Sequence, residues 1–121
     1  METQKIVIFG CGNVANYFAE KFMLLNHNII QVYHPDHKKS EDFAKICDAE
    51  AINNFLDIDV HADLYFISVK DDAIAEIASK IHTNKGLVAH TSGSVKLDVL
   101  NKHVRSAVFY PLQTFTKGIK T

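Results

Sequence analysis

The chain has 121 residues, of which 47% are hydrophobic, and its 13 basic and 14 acidic side chains leave a formal net charge of −1. This length and composition predict one globular domain with its own core and exclude a disordered chain. The balanced charge gives no reason to expect nucleic acid or an anionic membrane as a partner, and no apolar run approaches the roughly 20 residues of a membrane span.

The first part of the chain alternates short apolar runs with an amphipathic segment. Lys5–Phe9 is predicted to be a strand, which Gly10 ends. Apolar side chains recur at helical spacing over Asn13–Leu25, which predicts the first helix. The β-branched run Ile29–Tyr33 is predicted to be the second strand, and Pro35 stops it because proline cannot donate to a ladder.

The middle of the chain is predicted to hold a second helix and a short third strand. Ser40 is predicted to be the N-cap of that helix, with acidic side chains in the first turn that interact favourably with the helix dipole. The side chains expected on its buried face are Phe43, Ile46 and Cys47. Ala51–Ile52 is predicted to be a minimal third strand, and residues 53–61 fit no single pattern.

The same alternation continues in the second half. Ala62–Val69 is almost entirely apolar, which is typical of a strand covered on both faces. Asp71 is predicted to cap a third helix, whose inward side chains are Ile74, Ile77, Ala78 and Ile81. Leu87–His90 is predicted to be the fifth strand.

A short helix carrying Leu97 and Leu100 and a sixth strand, Ala107–Tyr110, complete the predicted elements. Strands that alternate with helices predict an α/β fold of the Rossmann type, with a doubly wound, mainly parallel sheet and helices on both faces. We expect residues 1–121 to form a single domain.

The segment after the first strand has the spacing Gly-x-Gly-x-x-Ala and opens a predicted helix. Gly10 permits the sharp turn, Gly12 lets the backbone approach a pyrophosphate, and Ala15 lets the helix pack closely on the strand. Backbone N–H groups at the start of the helix attract the anion. This context favours dinucleotide binding over a purely structural turn. The predicted binding turn consists of Gly10, Cys11, Gly12, Asn13, Val14 and Ala15, with Cys11 as a small filler.

The end of the second strand bears on the choice between NAD and NADP. An acidic residue about 20 residues beyond the glycine turn binds the ribose 2′-hydroxyl and favours NAD. Asp36 lies at about that distance but beyond Pro35, and His34 is nearer to the strand end. Lys38 and Lys39 follow and supply charge for a 2′-phosphate. NADP is the preferred cofactor and NAD the alternative, with His34 and Asp36 as candidate binding residues.

Two polar segments follow later strands, at the edge of the sheet where open α/β folds bind ligands. Ser68–Asp72 follows the fourth strand and His90–Ser94 follows the fifth. The second segment suits a nicotinamide, its ribose or a substrate oxygen, and it suits a capped helix start equally well. The other histidines show no metal-ligand spacing, so no metal site is predicted.

Four motifs, GCGNVA, SVKDDAI, HTSGS and FYPLQTF, occur in this order. With them the chain resembles the N-terminal domain of Rossmann-like proteins related to deazaflavin-dependent NADP oxidoreductases, in the branch that carries a helical C-terminal domain. The resemblance implies NAD(P) binding at Gly10–Ala15, with Val69 and Lys70 lining the cofactor cleft. It also implies that His90, Thr91, Ser92 and Gly93 lie near the nicotinamide, and it suggests kinship with pyrroline-carboxylate reductases and prephenate dehydrogenases.

The sequence departs from this family pattern in two ways. Many relatives have His-Pro on the sixth strand where this chain has Tyr110-Pro111, so the acid–base role of that histidine does not transfer. The candidate catalytic residues are therefore His90, Ser92 and Tyr110. Relatives also continue into a helical domain that closes the substrate site and usually forms the dimer. We expect that domain to be absent here, and the chain is then either a fragment or a naturally short protein. If it is a naturally short protein, a complete active site needs a second subunit or partner, for example in a homodimer.

The predicted function is that of an NADP-dependent oxidoreductase, or its cofactor-binding domain, which positions a nicotinamide for hydride transfer to a small-molecule substrate. The alternative is a non-catalytic NAD(P)-binding sensor or regulatory module, which Tyr110 in place of histidine favours. An S-adenosylmethionine-binding domain is a third interpretation, against which the glycine spacing argues. Two distant cysteines, Cys11 and Cys47, indicate a reduced, cytoplasmic setting.

Overall fold

The computed structural model describes residues 3–83, 86–91 and 105–108. Its centre is a sheet of six parallel strands in the order β3-β2-β1-β4-β5-β6. The strands are β1 Lys5–Phe9, β2 Asn28–Tyr33, β3 Glu50–Ile52, β4 Leu64–Ile67, β5 Leu87–His90 and β6 Arg105–Val108. The strand order reverses between β1 and β4, which creates the crevice where open α/β sheets bind ligands.

Within the described residues, three helices and one 3-10 turn connect the strands from β1 to β5. The helices are α1 Asn13–Leu24, α2 His37–Cys47 and α3 Asp71–Lys80, and the Phe55 turn, Phe55–Asp57, lies between β3 and β4. The predicted Rossmann-type α/β fold is confirmed. The predicted bounds of β1 and β5 are those observed, and those of α1, β2 and β3 differ by one residue at one end.

The sheet separates two cores, which explains the continuous apolar runs. In β1, Ile6 and Ile8 belong to the buried cluster that includes α1 and α2 side chains, whereas Val7 and Phe9 belong to the cluster that includes α3 side chains. The side chains predicted to face inward from the third helix are all buried, namely Ile74, Ile77, Ala78 and Ile81. Helices therefore cover both faces, as the sequence predicts, because β1 to β5 carry apolar residues on both sides.

The predicted N-cap of α2 was wrong. The helix begins four residues earlier, and Asp36 is its N-cap, with a carboxylate that accepts from the N–H of Lys39 at 3.1 Å. Ser40 lies inside the helix and is buried, and its hydroxyl donates to the carbonyl oxygen of His37 at 2.9 Å. Asp36 is the N-cap because its carboxylate accepts from an N–H of the first helical turn, and this N–H has no other partner within the helix.

Two further details of the helices differ from the prediction. Ile46 is 62% exposed rather than inward, because the inward stripe of α2 runs through Phe43, Ala44 and Cys47. The N-cap position of α3 is occupied by Lys70, and Asp71 is the first residue of the helix.

The bounds of two strands also differ from the prediction. β4 covers Leu64–Ile67 and is shorter than the predicted Ala62–Val69. β6 is described over Arg105–Val108, in parallel register with β5 from Leu87–Arg105 to His90–Val108, so it includes two residues before the predicted start at Ala107. The predicted end at Tyr110 lies outside the described residues. The predicted helix that carries Leu97 and Leu100 lies outside the described residues.

Candidate functional site

The turn after β1 is built around Gly10. Its φ of +106° is a conformation that residues with a side chain rarely adopt, and its N–H donates to the carbonyl oxygen of Tyr33 at 2.9 Å. A Cβ atom on Gly10 would overlap the carbonyl group of Ser68 and lie 3.2 Å from Cγ1 of Val69. Gly10 therefore allows the ends of β1, β2 and β4 to meet, which confirms the sharp turn predicted from the sequence.

Gly12 is the exposed N-cap of α1, and no internal contact requires a glycine there. Its φ of −80° and ψ of −167° are open to any residue, and no described atom lies within 4 Å of a Cβ built on it. The first turn of α1, all of which is described, has neither an acidic side chain nor a side-chain cap. The helix thus presents unpaired backbone N–H groups and the positive end of its dipole to open space, an arrangement that binds anions.

A cleft of about 650 Å³ lies at this point, across the carboxyl ends of β1, β2 and β4. The described residues that line it are Gly10, Cys11, Gly12, Asn13, Val14, Tyr33, His34, Pro35, Phe55, Ser68, Val69, Lys70, Asp72, Ala73, Glu76, Ile77 and Thr91. Its volume falls within the range of about 300 to 1,000 Å³ that is usual for small-molecule and cofactor sites. The cleft is therefore large enough for a cofactor and lies at the switch point of the sheet.

A second depression, of about 390 Å³, adjoins the cleft and shares Gly12 and His34 with it. Its wall on α2 includes Lys39 and Asp42. Asp42 lies 3.4 Å from the ammonium group of Lys38, whereas no described carboxylate is within ion-pair distance of Lys39. The Lys39 charge therefore adds to the positive potential at the N-terminus of α1.

His34 and Asp36 both follow β2, but only His34 lines the two depressions. Partial burial lowers the pKa of His34, and the positive charge of Lys39 lowers it further, whereas the Asp36 carboxylate acts in the opposite direction. Its Nδ1 accepts from the N–H of Asp36 at 2.9 Å, which leaves the proton on Nε2. Asp36 lines neither depression, because its carboxylate caps α2, and the hydrogen bond from the Lys39 N–H lowers its pKa.

Both cysteines of the chain are free thiols. Cys11 lines the cleft, and partial burial raises its pKa. Burial raises the pKa of Cys47 to about 11. The thiolate is the reactive form of cysteine, so neither residue has the lowered pKa of an activated nucleophile. This agrees with the interpretation of Cys11 as a small filler.

The residues after β4 and β5 form the other end of the cleft. Val69, Lys70 and Thr91 line it. His90 is 0% exposed and lies in β5, between β4 and β6, so its side chain is in the core rather than at the cleft wall. Successive side chains of a strand point to opposite faces, which separates His90 from Thr91. Ser92, Gly93 and Tyr110 lie outside the described residues.

Most residues proposed from the sequence therefore come together, namely Gly10, Cys11, Gly12, Asn13, Val14, His34, Val69, Lys70 and Thr91. Ala15 lies beneath them in the core, which fits its predicted packing role. Their contact with a cofactor stays a prediction. The sequence reasoning missed the wall formed by Tyr33, Phe55, Glu76 and Ile77. Tyr33 could be located as the last residue of a predicted strand and Ile77 as an inward side chain of the predicted third helix, whereas Phe55 lies in a segment that fits no single pattern.

The described residues form no cluster suited to a metal ion. No group of three or more His, Cys, Asp or Glu among them could hold a metal ion. His61 and His82 line a shallow depression on another part of the surface, but two imidazoles are fewer than the ligands of a usual zinc site.

Among the described residues, no helix combines the length and apolarity needed to cross a membrane.

The sequence matches, over residues 5–93, the family model described as NADP oxidoreductase, coenzyme F420-dependent. The structure is similar to that of a protein from Bacteroides fragilis provisionally described as an NADP oxidoreductase. Their TM-score is 0.83 at 31% identity, over 89% of this chain and 44% of the other. No curated protein matches the sequence.

Two enzymes share the fold at lower identity. Prephenate dehydrogenase from A. aeolicus, solved with hydroxyphenyl propionate and NAD+, has a TM-score of 0.71 at 19% identity, over 84% of this chain and 38% of its own. Pyrroline-5-carboxylate reductase from Coxiella burnetii has a TM-score of 0.69 at 20% identity, over 84% of this chain and 40% of its own. The chain thus spans less than half the length of each of these three proteins.

Proposed function

The chain belongs to the family of coenzyme F420-dependent NADP oxidoreductases, and from this premise we propose that its cleft binds NADP and positions the nicotinamide for hydride transfer. The observation that carries the proposal is Gly12, where the protein leaves open the space that a Cβ would fill, beside the N-terminus of α1. This vacant space at the switch point of a parallel sheet suits a pyrophosphate.

The glycine turn would hold the pyrophosphate. The backbone N–H groups that follow Gly12 have no acceptor within α1, so phosphate oxygens would satisfy them. The absence of acidic side chains from the fully described first turn of α1 avoids repulsion of the two negative charges. Gly10 would contribute to pyrophosphate binding indirectly, because its backbone conformation leads the chain from β1 into this turn.

The adenosine half would lie on the β2 side, because residues at the end of the second strand contact the adenosine ribose in this fold. We propose that Lys39 and the Nε2–H of His34 bind a 2′-phosphate. The support is that both residues line the depression next to Gly12. Asp36 would not bind the ribose, because its carboxylate caps α2. NADP is therefore preferred over NAD.

The nicotinamide half would extend toward Val69, Lys70 and Thr91 at the ends of β4 and β5. When bound, the nicotinamide ring supplies the hydride chemistry, and the protein supplies position and exclusion of water. Thr91 offers a hydroxyl that can donate to or accept from the nicotinamide carboxamide. The proposed substrate is a small molecule that accepts or donates a hydride at this end.

Calorimetric titration of the folded chain with NADPH, NADH and S-adenosylmethionine tests the binding part. We expect NADPH to bind more tightly than NADH, and S-adenosylmethionine not to bind. A folded chain that binds neither nicotinamide cofactor would contradict the proposal. A tighter complex with NADH would contradict the assignment of Lys39.

Catalysis requires a separate measurement. Oxidation of NADPH would be followed at its near-ultraviolet absorbance with coenzyme F420, imines and ketones as hydride acceptors. We expect turnover with at least one acceptor in the protein as encoded by its gene. Tight NADPH binding without turnover on any acceptor would instead support a sensor or regulatory module.

A further inference from the structure

At the β2 end of the cleft, two aromatic rings are stacked. The ring centroids of Tyr33 and Phe55 are 4.9 Å apart, and the ring planes differ by 21°. Both residues line the cleft. We infer that Phe55 forms one wall of an adenine subsite and that Gln31, which does not line the cleft, is the positioning residue that holds this wall in place. The inference rests on the proposed function.

The chemistry of the β2 end favours a flat aromatic ligand. Tyr33 covers one face of the half-buried Phe55 ring, and the remaining surface of Phe55 contributes to the cleft with Pro35 and Ile77. The base of the cofactor is the planar part expected on this side of the glycine turn. Stacking of a base on an aromatic side chain, when tested by substitution with alanine, changes affinity by about tenfold.

Gln31 connects β2 to the segment that carries Phe55. Its side chain is only 6% exposed. Its Nε2 donates to the carbonyl oxygen of Asp57 at 2.8 Å and to the Glu50 carboxylate at 3.1 Å, and its Oε1 accepts from the N–H of Asp59 at 2.9 Å. An amide is the side chain that both donates and accepts in this way. Two of these bonds hold Asp57 and Asp59, two and four residues after Phe55.

An irregularity in β2 gives Gln31 this orientation. Ile6 pairs with Ile29, but the next residue of β1 pairs with Gln31, so one residue of β2 is passed over. In a regular strand Ile29, Gln31 and Tyr33 would share a face. Here Ile29 packs in the core with α1 and α2, whereas Tyr33 packs in the core with α3. The bulge thus places Gln31 and Tyr33 on the face that the Phe55 turn covers.

The test measures the affinity of the full chain for NADPH and for 2′,5′-ADP, which is the adenosine half alone. Phe55→Ala should weaken both ligands by about tenfold, since both contain the adenine. Leu56→Ala is the matched control, because Leu56 lies in the same turn and is 90% exposed. It should leave both affinities unchanged.

A double-mutant cycle separates positioning from a general structural role. Gln31→Glu keeps the acceptor for Asp59 but removes the donor to Asp57 and places a second carboxylate beside Glu50. If Gln31 acts through Phe55, this substitution weakens 2′,5′-ADP binding in the wild-type background and has little further effect in Phe55→Ala. A loss of thermal stability alone would not produce this non-additivity.

A second, milder variant covers the case in which Gln31→Glu does not fold. Asn54→Ala removes the exposed side chain that accepts from the N–H of Leu56 at 2.9 Å and so loosens the same turn. It should also weaken 2′,5′-ADP binding. Unchanged affinity in Phe55→Ala, or additive effects of the paired substitutions, would overturn the inference and leave the proposed function intact. Failure of the wild-type chain to bind NADPH would contradict the proposed function itself.

Discussion

Gly10 packs against the carbonyl group of Ser68 so closely that a Cβ atom on residue 10 would overlap it. The amide of Ser68 in turn donates to the carbonyl oxygen of Phe9 at 2.8 Å, and Gly10 donates to Tyr33 on the other side. Strand ends from β1, β2 and β4 therefore converge on one glycine. The floor of the cleft depends on this convergence.

Gly10→Ala should destabilise the fold by about 2 to 6 kcal/mol, through backbone strain at positive φ and overlap with Ser68. Chemical unfolding measures the effect. Gly12→Ala is the matched control: its φ is negative and its Cβ would have open space, so its stability should change by less than about 1 kcal/mol. Equal stability of the two variants would show that the turn around Gly10 is not as described.

Gly12→Asp should separate binding from stability. Aspartate is a favourable N-cap, so the free energy of unfolding should stay the same or rise. The affinity for NADPH should fall by about a hundredfold or more, because a carboxylate is brought against the pyrophosphate and like charges in contact cost several kcal/mol. Calorimetric titration and thermal unfolding of the same sample check both parts. Unchanged NADPH affinity would place the cofactor elsewhere.

Lys39→Ala should weaken NADPH by about tenfold and leave NADH unaffected, since a charge-assisted hydrogen bond to the 2′-phosphate is lost. Lys38→Ala serves as the control, because Lys38 carries the same charge one residue earlier but pairs with Asp42 at 3.4 Å. Parallel titrations with the two cofactors give the ratio of affinities. An equal loss in both lysine variants would indicate a general charge effect rather than a 2′-phosphate site.

The two thiols should differ in reactivity toward N-ethylmaleimide. Cys11 lines the cleft and should be labelled, whereas Cys47 is buried, with a pKa raised to about 11, and should react only after unfolding. Because burial also raises the pKa of Cys11, its labelling should quicken by about tenfold for each pH unit up to that pKa. Saturating NADPH should protect Cys11. Mass spectrometry of labelled peptides identifies the site, and labelling of Cys47 in the folded protein would contradict this assignment.

Local signals in the amino-acid sequence are enough to specify several elements of the fold. The apolar run Lys5–Phe9, the glycines at positions 10 and 12 and the helical spacing after Asn13 each report the backbone conformation of their own segment, because turn geometry and side-chain periodicity are short-range properties. The strand–turn–helix unit therefore follows from the amino-acid sequence alone.

Which distant side chains complete the cleft depends on how the segments pack against one another. Asp36 rather than Ser40 caps α2, and a bulge in β2 turns Gln31 toward the Phe55 turn. That turn follows β3, yet the ring of Phe55 stacks on Tyr33 at the end of β2. These relationships depend on strand register and on contacts between segments far apart in sequence, and a one-residue change of register moves a side chain to the opposite face of the sheet.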